Sequence, residues 1–268
     1  MNTFQPTLRT KYFAKELIYL NTVDSTNNYL FHEFKGPFTE GLVVVAHDQS
    51  AGRGRMGRSW FSSPGKSLLY SILLMPNAGS DNIPQITQVC ALSITKVLEA
   101  AYGLKPAIKW PNDIYLGDKK LGGILSEARF HNDILPVKGK SQEYPLVVIG
   151  VGLNINETID EMPLEIRNTA TSLLIETGGE KDREDLFARL LYEFEILYEE
   201  WKKGLFTDHI EEIGIRFYLK GKKVKAEQGK DRFLEGEVVG INHQGFLLIR
   251  DSEGNMNAIL SGDVTLCS

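Results

Sequence analysis

The chain reads as an α+β protein with a main body and a small appended β-barrel, and three observations lead there. At 268 residues it exceeds the usual size of one domain. Two long stretches of helical periodicity, about 81–102 and 182–203, are interleaved with β-branched runs, and after Leu219 short alternating runs punctuated by glycine take over. Hydrophobic residues at 42% and charged residues at 24% lie in the globular range, so the chain carries enough apolar surface to fold by itself.

Taken in order, Asp24 or Ser25 can cap a short helix bearing Leu30, Phe31 and Phe34, because a side-chain oxygen there satisfies orphan N–H groups. The β-branched run Gly41 to His47 and the apolar run Ser67 to Met75 are buried strands, and a Gly/Arg-rich loop joins them. From Asp81 to Tyr102, Ile83, Ile86, Val89, Ile94, Val97, Leu98 and Ala101 recur at helical spacing, with Pro84 in the first turn and Gly103 at the end. Ala107 to Trp110, Lys120 to Glu127 and Leu146 to Val151 are short strands, with turns at Pro111-Asn112-Asp113 and Gly117-Asp118. The polar stretch Phe130 to Tyr144 is an exposed connection.

A second amphipathic helix spans about Asp182 to Lys203, with Leu186, Leu190, Phe194, Leu197 and Trp201 inward and Gly204 beyond its end. Its acids Glu193, Glu195, Glu199 and Glu200 are expected on a solvated face rather than at a metal. The strands Lys222 to Glu227, Phe233 to Ile241, Phe246 to Arg250 and Met256 to Leu260 follow, with hairpin turns at Asn242 to Gly245 and Asp251 to Gly254. These patterns divide the chain into 1–218 and 219–268.

Net charge is −5 and the sequence pI is near 5.6, so the surface as a whole offers no footprint for duplex DNA or an anionic membrane. Cys90 and Cys267 read as reduced thiols. Residues Met1 to Thr10 lack the apolar core of a signal peptide, and no run approaches the roughly 18 apolar residues of a membrane span, so a soluble cytoplasmic protein is expected. The histidines lack ligand spacing, and no Ser-His-Asp or Cys-His arrangement follows from their order.

Three segments carry chemistry. Gly52-Arg53-Gly54-Arg55-Met56-Gly57-Arg58-Ser59-Trp60 places three arginines among three glycines, so that backbone N–H groups and forked guanidinium donors can clamp an anion. A solvated basic turn or a nucleic-acid contact would use the same residues. Lys109-Trp110-Pro111-Asn112-Asp113, followed by Lys120-Leu121-Gly122-Gly123-Ile124-Leu125, lets Lys109, Asp113 and Lys120 face one site. Strand alternation sets Leu121 and Leu125 on one face and Lys120 beside Gly122 on the other, where the missing side chain leaves space for a ligand. Gly150-Val151-Gly152-Leu153-Asn154-Ile155-Asn156 closes a strand, but lacks the spacing and following helix of a dinucleotide site.

Together with Ser25-Thr26-Asn27 and Gln49, these segments make the sequence resemble the biotin-protein ligase family over roughly residues 20 to 260. The resemblance implies a mixed β-sheet catalytic domain with helices mainly on one face, then an SH3-like barrel. It also implies a biotin-[acetyl-CoA-carboxylase] ligase activity, which activates biotin with ATP and transfers it to a lysine of a biotin carboxyl carrier protein. On the matching positions, Ser25, Thr26, Asn27, Gln49, Arg53, Gly54, Arg55, Lys120 and Gly122 would bind biotin. Arg55, Arg58, Trp60, Lys109, Asn112, Lys120 and Asn154 would serve ATP or the adenylate. Lys120, Asp113 and Arg55 would be catalytic, Asp113 by positioning that lysine, magnesium or the incoming acceptor amine, and Mg²⁺ would be held mainly through the ATP phosphates. The residues around Arg53 to Arg55 would belong to a loop that orders over the ligand.

Some members of the family open with a DNA-binding domain, and Ser25-Thr26-Asn27 stands early for one, so repression of transcription is not expected. Met56 stands where many relatives carry arginine. Homodimerisation occurs in the family. Two alternatives stay open at the level of sequence: a lipoate or octanoate ligase or transferase, and a non-catalytic adenylate- or nucleic-acid-binding module.

Overall fold

The computed structural model describes residues 4–77, 79, 82–129, 145–227 and 233–267. The expected connection Phe130 to Tyr144 lies outside the described residues. A seven-stranded sheet comprises β1 (Leu17–Val23), β2 (Val43–Gln49), β3 (Leu68–Leu74), β4 (Pro106–Lys109), β5 (Asp113–Leu116), β6 (Lys119–Arg129) and β7 (Leu146–Leu153), in the order β1-β2-β3-β7-β6-β5-β4. Only β1 and β2 pair in parallel, so the sheet is mixed, as expected. Helix α1 (Thr26–Asn28) runs into a π-turn, Tyr29–Glu33, between β1 and β2. Ser25 does not cap it through its side chain; its hydroxyl is left for the cavity described below.

The long helices form where their patterns end in the right signals. Helix α2 (Ile83–Tyr102) has Pro84 in its first turn and stops at Gly103, whose φ of 65° suits a residue without a β-carbon. A short α3 (Leu173–Thr177) precedes α4 (Arg183–Lys202), which is capped by Asp182 accepting from the Glu184 and Asp185 N–H groups. Helix α5 (Phe206–Ile215) follows. One face of the sheet, through Val43, Val45, Tyr70, Ile72, Ile124 and Ile149, packs with α2 and α4 in the main core. The opposite face packs Val44, Leu73 and Val148 against Leu30 and Phe31 of the π-turn and leaves room for a site.

Glu195 departs from the expected solvated acidic face. It is 4% exposed, and its carboxylate accepts from the backbone N–H groups of Lys11, Tyr12 and Phe13 at 2.6, 3.0 and 2.7 Å. Its neighbours are paired rather than free: Glu199 with Lys202 and Tyr12, Glu193 with Lys96.

The C-terminal part is a five-stranded antiparallel, SH3-like sheet. It comprises β8 (Lys223–Glu227), β9 (Phe233–Ile241), β10 (Leu247–Arg250), β11 (Met256–Ile259) and β12 (Val264–Leu266), in the order β11-β10-β9-β8-β12. Its Asn242 to Gly245 turn lies against the main body: the Gly245 carbonyl accepts from Trp110 Nε1 at 3.1 Å and from Gln88 Nε2 at 2.6 Å. Among the described residues no helix is long and apolar enough to cross a membrane.

Candidate active site

The open face of the sheet carries a cavity whose floor begins at the first turn of α1. Gln49 at the end of β2 accepts the Thr26 N–H at 2.8 Å through Oε1. Ser71 is the one polar residue in the apolar strand β3 and is fully buried. Its hydroxyl lies 2.6 Å from both Thr26 Oγ1 and Asn27 Oδ1. Gly150 and Gly152 of β7 keep the floor open: a β-carbon at Gly150 would strike the Asn27 amide, and one at Gly152 would come within 2.7 Å of the Trp60 ring.

On the next strand Lys120 Nζ pairs with Asp113 Oδ1 at 2.7 Å and lies 5.7 Å from the centre of the Trp60 ring. Register explains the pairing. β4 sets Lys109 opposite Asp113, and β5 sets Asp113 opposite Gly123. Between them β6 carries a bulge: Gly122 faces Ile114 but Lys120 faces Tyr115, which leaves Leu121 as the extra residue. The bulge reverses strand parity, so Leu121 and Ile124 enter the core while Lys120, Gly123 and Leu125 line the cavity.

That result moves part of the expected site. Gly122 does not line the cavity; its missing side chain accommodates Leu153 and the Gly152 carbonyl, and Gly123 is the glycine beside Asp113 and Lys120. Asn154 also stands outside the wall, donating through Nδ2 to the Thr171 carbonyl at 2.9 Å. Ser25, Thr26, Asn27, Gln49, Arg53, Gly54, Arg55, Arg58, Trp60, Lys109, Asn112, Asp113 and Lys120 are brought together around one cavity. Ser71 was not anticipated, although a lone serine within Leu-Leu-Tyr-Ser-Ile-Leu-Leu was its signal. Asp263, Val264 and Thr265 also line the wall and come from the other domain, which no local pattern announces.

The Gly-Arg loop folds back on itself through Gly54 N–H to the Arg58 carbonyl and Trp60 N–H to the Gly52 carbonyl. Met56 adopts φ 55° at its tip, is 65% exposed and does not line the cavity. Arg58 pairs with Asp263, and Arg55 donates to the Gly262 carbonyl and Asn112 Oδ1. Arg53, Arg55, Arg58, Lys109 and Lys120 thus surround two carboxylates, Asp113 and Asp263. Burial pulls the Lys109 ammonium below its ordinary value; Lys120 and Arg58 push the same way, and Asp113 opposes. Such an excess of closely set cations is an anion site.

A polar floor joined to a cationic wall defines a site for a small polar ligand beside an anion. The comparisons agree. The Biotin/lipoate A/B protein ligase family matches residues 19–138, and the Biotin protein ligase C terminal domain matches residues 220–266. The chain is 34% identical over 260 residues to the bifunctional ligase/repressor BirA of Bacillus spizizenii, covering 97% of this chain and 76% of the relative. It is 29% identical to the biotin--[acetyl-CoA-carboxylase] ligase of Mycobacterium tuberculosis, over 90% of this chain and 85% of that one. The biotin protein ligase from Aquifex aeolicus in complex with biotin and ATP superposes with a TM-score of 0.80 at 32% identity, covering 94% of this chain and 99% of that structure. The chain belongs to the biotin protein ligase family.

Proposed function

We propose that this protein activates biotin with ATP and transfers the biotinyl group to a lysine of a biotin carboxyl carrier protein, as a biotin-[acetyl-CoA-carboxylase] ligase. The observation that carries the reading is the Lys120–Asp113 pair, set where the polar floor of Ser25 to Asn27 and Gln49 meets the cationic wall.

In the first step the biotin carboxylate attacks the α-phosphate of ATP, forming the acyl-phosphate bond as pyrophosphate leaves with the electrons of the bond that breaks. Two anions must approach, and charge builds in the transition state. Fixed cations at Lys120, Arg55, Arg58 and Lys109 offset that repulsion without reorganising. Among the described residues no group of three His, Cys, Asp or Glu side chains could hold a metal. Mg²⁺ would enter with the triphosphate, and Asp113 is a carboxylate of the cavity wall that would help to hold it. The ion supplies charge neutralisation when bound.

In the second step the carrier amine attacks the mixed anhydride and AMP leaves. A free lysine, with pKa about 10.4, is almost wholly protonated at neutral pH. In this reading Asp113 orients that amine and accepts its proton, while Lys120 stays with the departing phosphate. The Gly-Arg loop, whose residues line the cavity, serves in this reading as the cover that keeps water from the anhydride. The polar floor favours a cyclic urea over the dithiolane of lipoate, which offers no N–H donor.

Mass spectrometry of a carrier domain incubated with the protein, ATP, Mg²⁺ and biotin should show one biotinyl addition. Absence of both that product and biotin-dependent ATP–pyrophosphate exchange would overturn the reading.

A further inference from the structure

Glu127 stands two residues beyond Leu125 on β6, outside the cavity wall but in contact with two of its parts. Its Oε2 accepts from Asn27 Nδ2 at 2.8 Å on the floor. Its Oε1 pairs with Arg53 Nη2 at 3.0 Å in the Gly-Arg loop. Arg53 also donates to Asn28 Oδ1, beside Asn27. One carboxylate thus joins the floor to the loop.

The direction of the hydrogen bonds gives the join a chemical consequence. A carboxylate only accepts, so it fixes the Asn27 amide with Nδ2 outward. Both Nδ2 hydrogens are then used, one on Glu127 and one on the Leu125 carbonyl. Oδ1 turns to Ser71, which must donate to it. Ser71 has only one hydrogen, and Thr26 Oγ1 lies 2.6 Å from Ser71 Oγ and 3.1 Å from Gln49 Oε1, so the single Thr26 hydroxyl hydrogen serves one of those two oxygens. The second lone pair of Asn27 Oδ1 is left to accept an N–H from a ligand.

Resting on the biotin reading of the site, we propose that Glu127 is a positioning residue for biotin. It sets the floor to accept a ureido N–H and, through Arg53, ties that floor to the loop. With Glu127 in place, an N–H donor of a cyclic urea is recognised and the loop is held over it. A ligand without an N–H, such as a dithiolane acid, gains nothing from the arrangement.

Three variants separate the two halves of the proposal. Glu127→Ala removes both links, Arg53→Ala removes only the loop link, and Glu127→Gln retains an acceptor for Asn27 while losing the ion pair. In ATP–pyrophosphate exchange, Glu127→Ala should raise the KM for biotin about tenfold, the loss of one well-placed hydrogen bond. Its kcat and KM for ATP should stay within about threefold, and Glu127→Gln should restore the KM. Without any ligand, trypsin should cut after Arg55 and Arg58 several-fold faster in Glu127→Gln and Arg53→Ala than in the parent. An unchanged biotin KM in Glu127→Ala overturns the floor role, and parental cutting rates in the other two overturn the loop role. If Glu127→Ala does not fold, the restored KM of Glu127→Gln is replaced by titration calorimetry of biotin with Glu127→Lys, where parental affinity overturns the floor role. A parent protein without biotin-dependent exchange sinks the functional reading instead, and the ligand-free trypsin rates still decide the loop link.

Discussion

Lys120 and Asp113 form an ion pair at 2.7 Å with side chains 32% and 17% exposed, so each determines what the other can do. Replacing Lys120 by alanine removes the charge facing the reacting phosphate and should lower the rate of adenylate formation by about 10²–10³, read in pyrophosphate exchange. Asp113→Ala removes the carboxylate partner of Lys120 and leaves its contact with the Trp60 ring. Adenylation should then fall by less than about tenfold, while transfer to the carrier in single turnover falls by about 10², the lower range for loss of a proton acceptor. Equal losses in the two steps would remove Asp113 from the transfer step. Glu157 offers a test away from the chemistry. It is 1% exposed, with one oxygen on the Ser67 hydroxyl and the other without a partner among the described residues. Burial raises its pKa above the ordinary 4.5, against the Ser67 bond. A raised folded-state pKa means that stability from the protonated group is fully present below the unfolded value and is lost as pH rises through the folded one. Glu157→Gln should therefore be more stable than the parent at pH 7, with urea midpoints converging near pH 4.

At the scale of elements, α4 acts as both a core helix and a clamp. Glu195→Ala would leave the Lys11, Tyr12 and Phe13 N–H groups without their acceptor and should cost about 3 kcal/mol in urea denaturation, with an unchanged m-value. Helices α2 and α4 were legible because a sustained helical period coincides with Pro84, Gly103 and Asp182 at the ends. β1 was not, since its residues are mostly half-buried or exposed and show no two-residue alternation. β12 is three residues long and gives no period at all. The chemistry-bearing segments were legible as residue types at fixed spacing. The facing of β6 was not, because its bulge depends on pairing with β5, and one extra residue reverses every side chain beyond it. Glu195 escaped for a related reason: its donors are more than 180 residues away in sequence.

For the whole molecule, the small domain contributes to the cavity as well as lying beside it. Asp263 holds Arg58, the Gly262 carbonyl holds Arg55, and the Gly245 carbonyl anchors Trp110 next to the Pro111-Asn112 turn. Asp263→Ala should loosen the loop and raise the KM for ATP by up to about fivefold, since a pair this exposed is worth no more than about 1 kcal/mol. Biotin affinity by titration calorimetry should stay unchanged, and a fall in it would mean that Asp263 supports the floor as well. The sheet between the two regions separates their duties. One face, with α2 and α4, carries the main core; the other, with Ser71, Gly150 and Gly152, shapes the cavity. Substitutions on the cavity face can therefore change which acid is accepted while drawing little on the packing that keeps the chain folded. For a designer, the protein divides into a chassis to be left alone and a surface open to re-tailoring, with β3 showing the boundary between Tyr70 and Ser71.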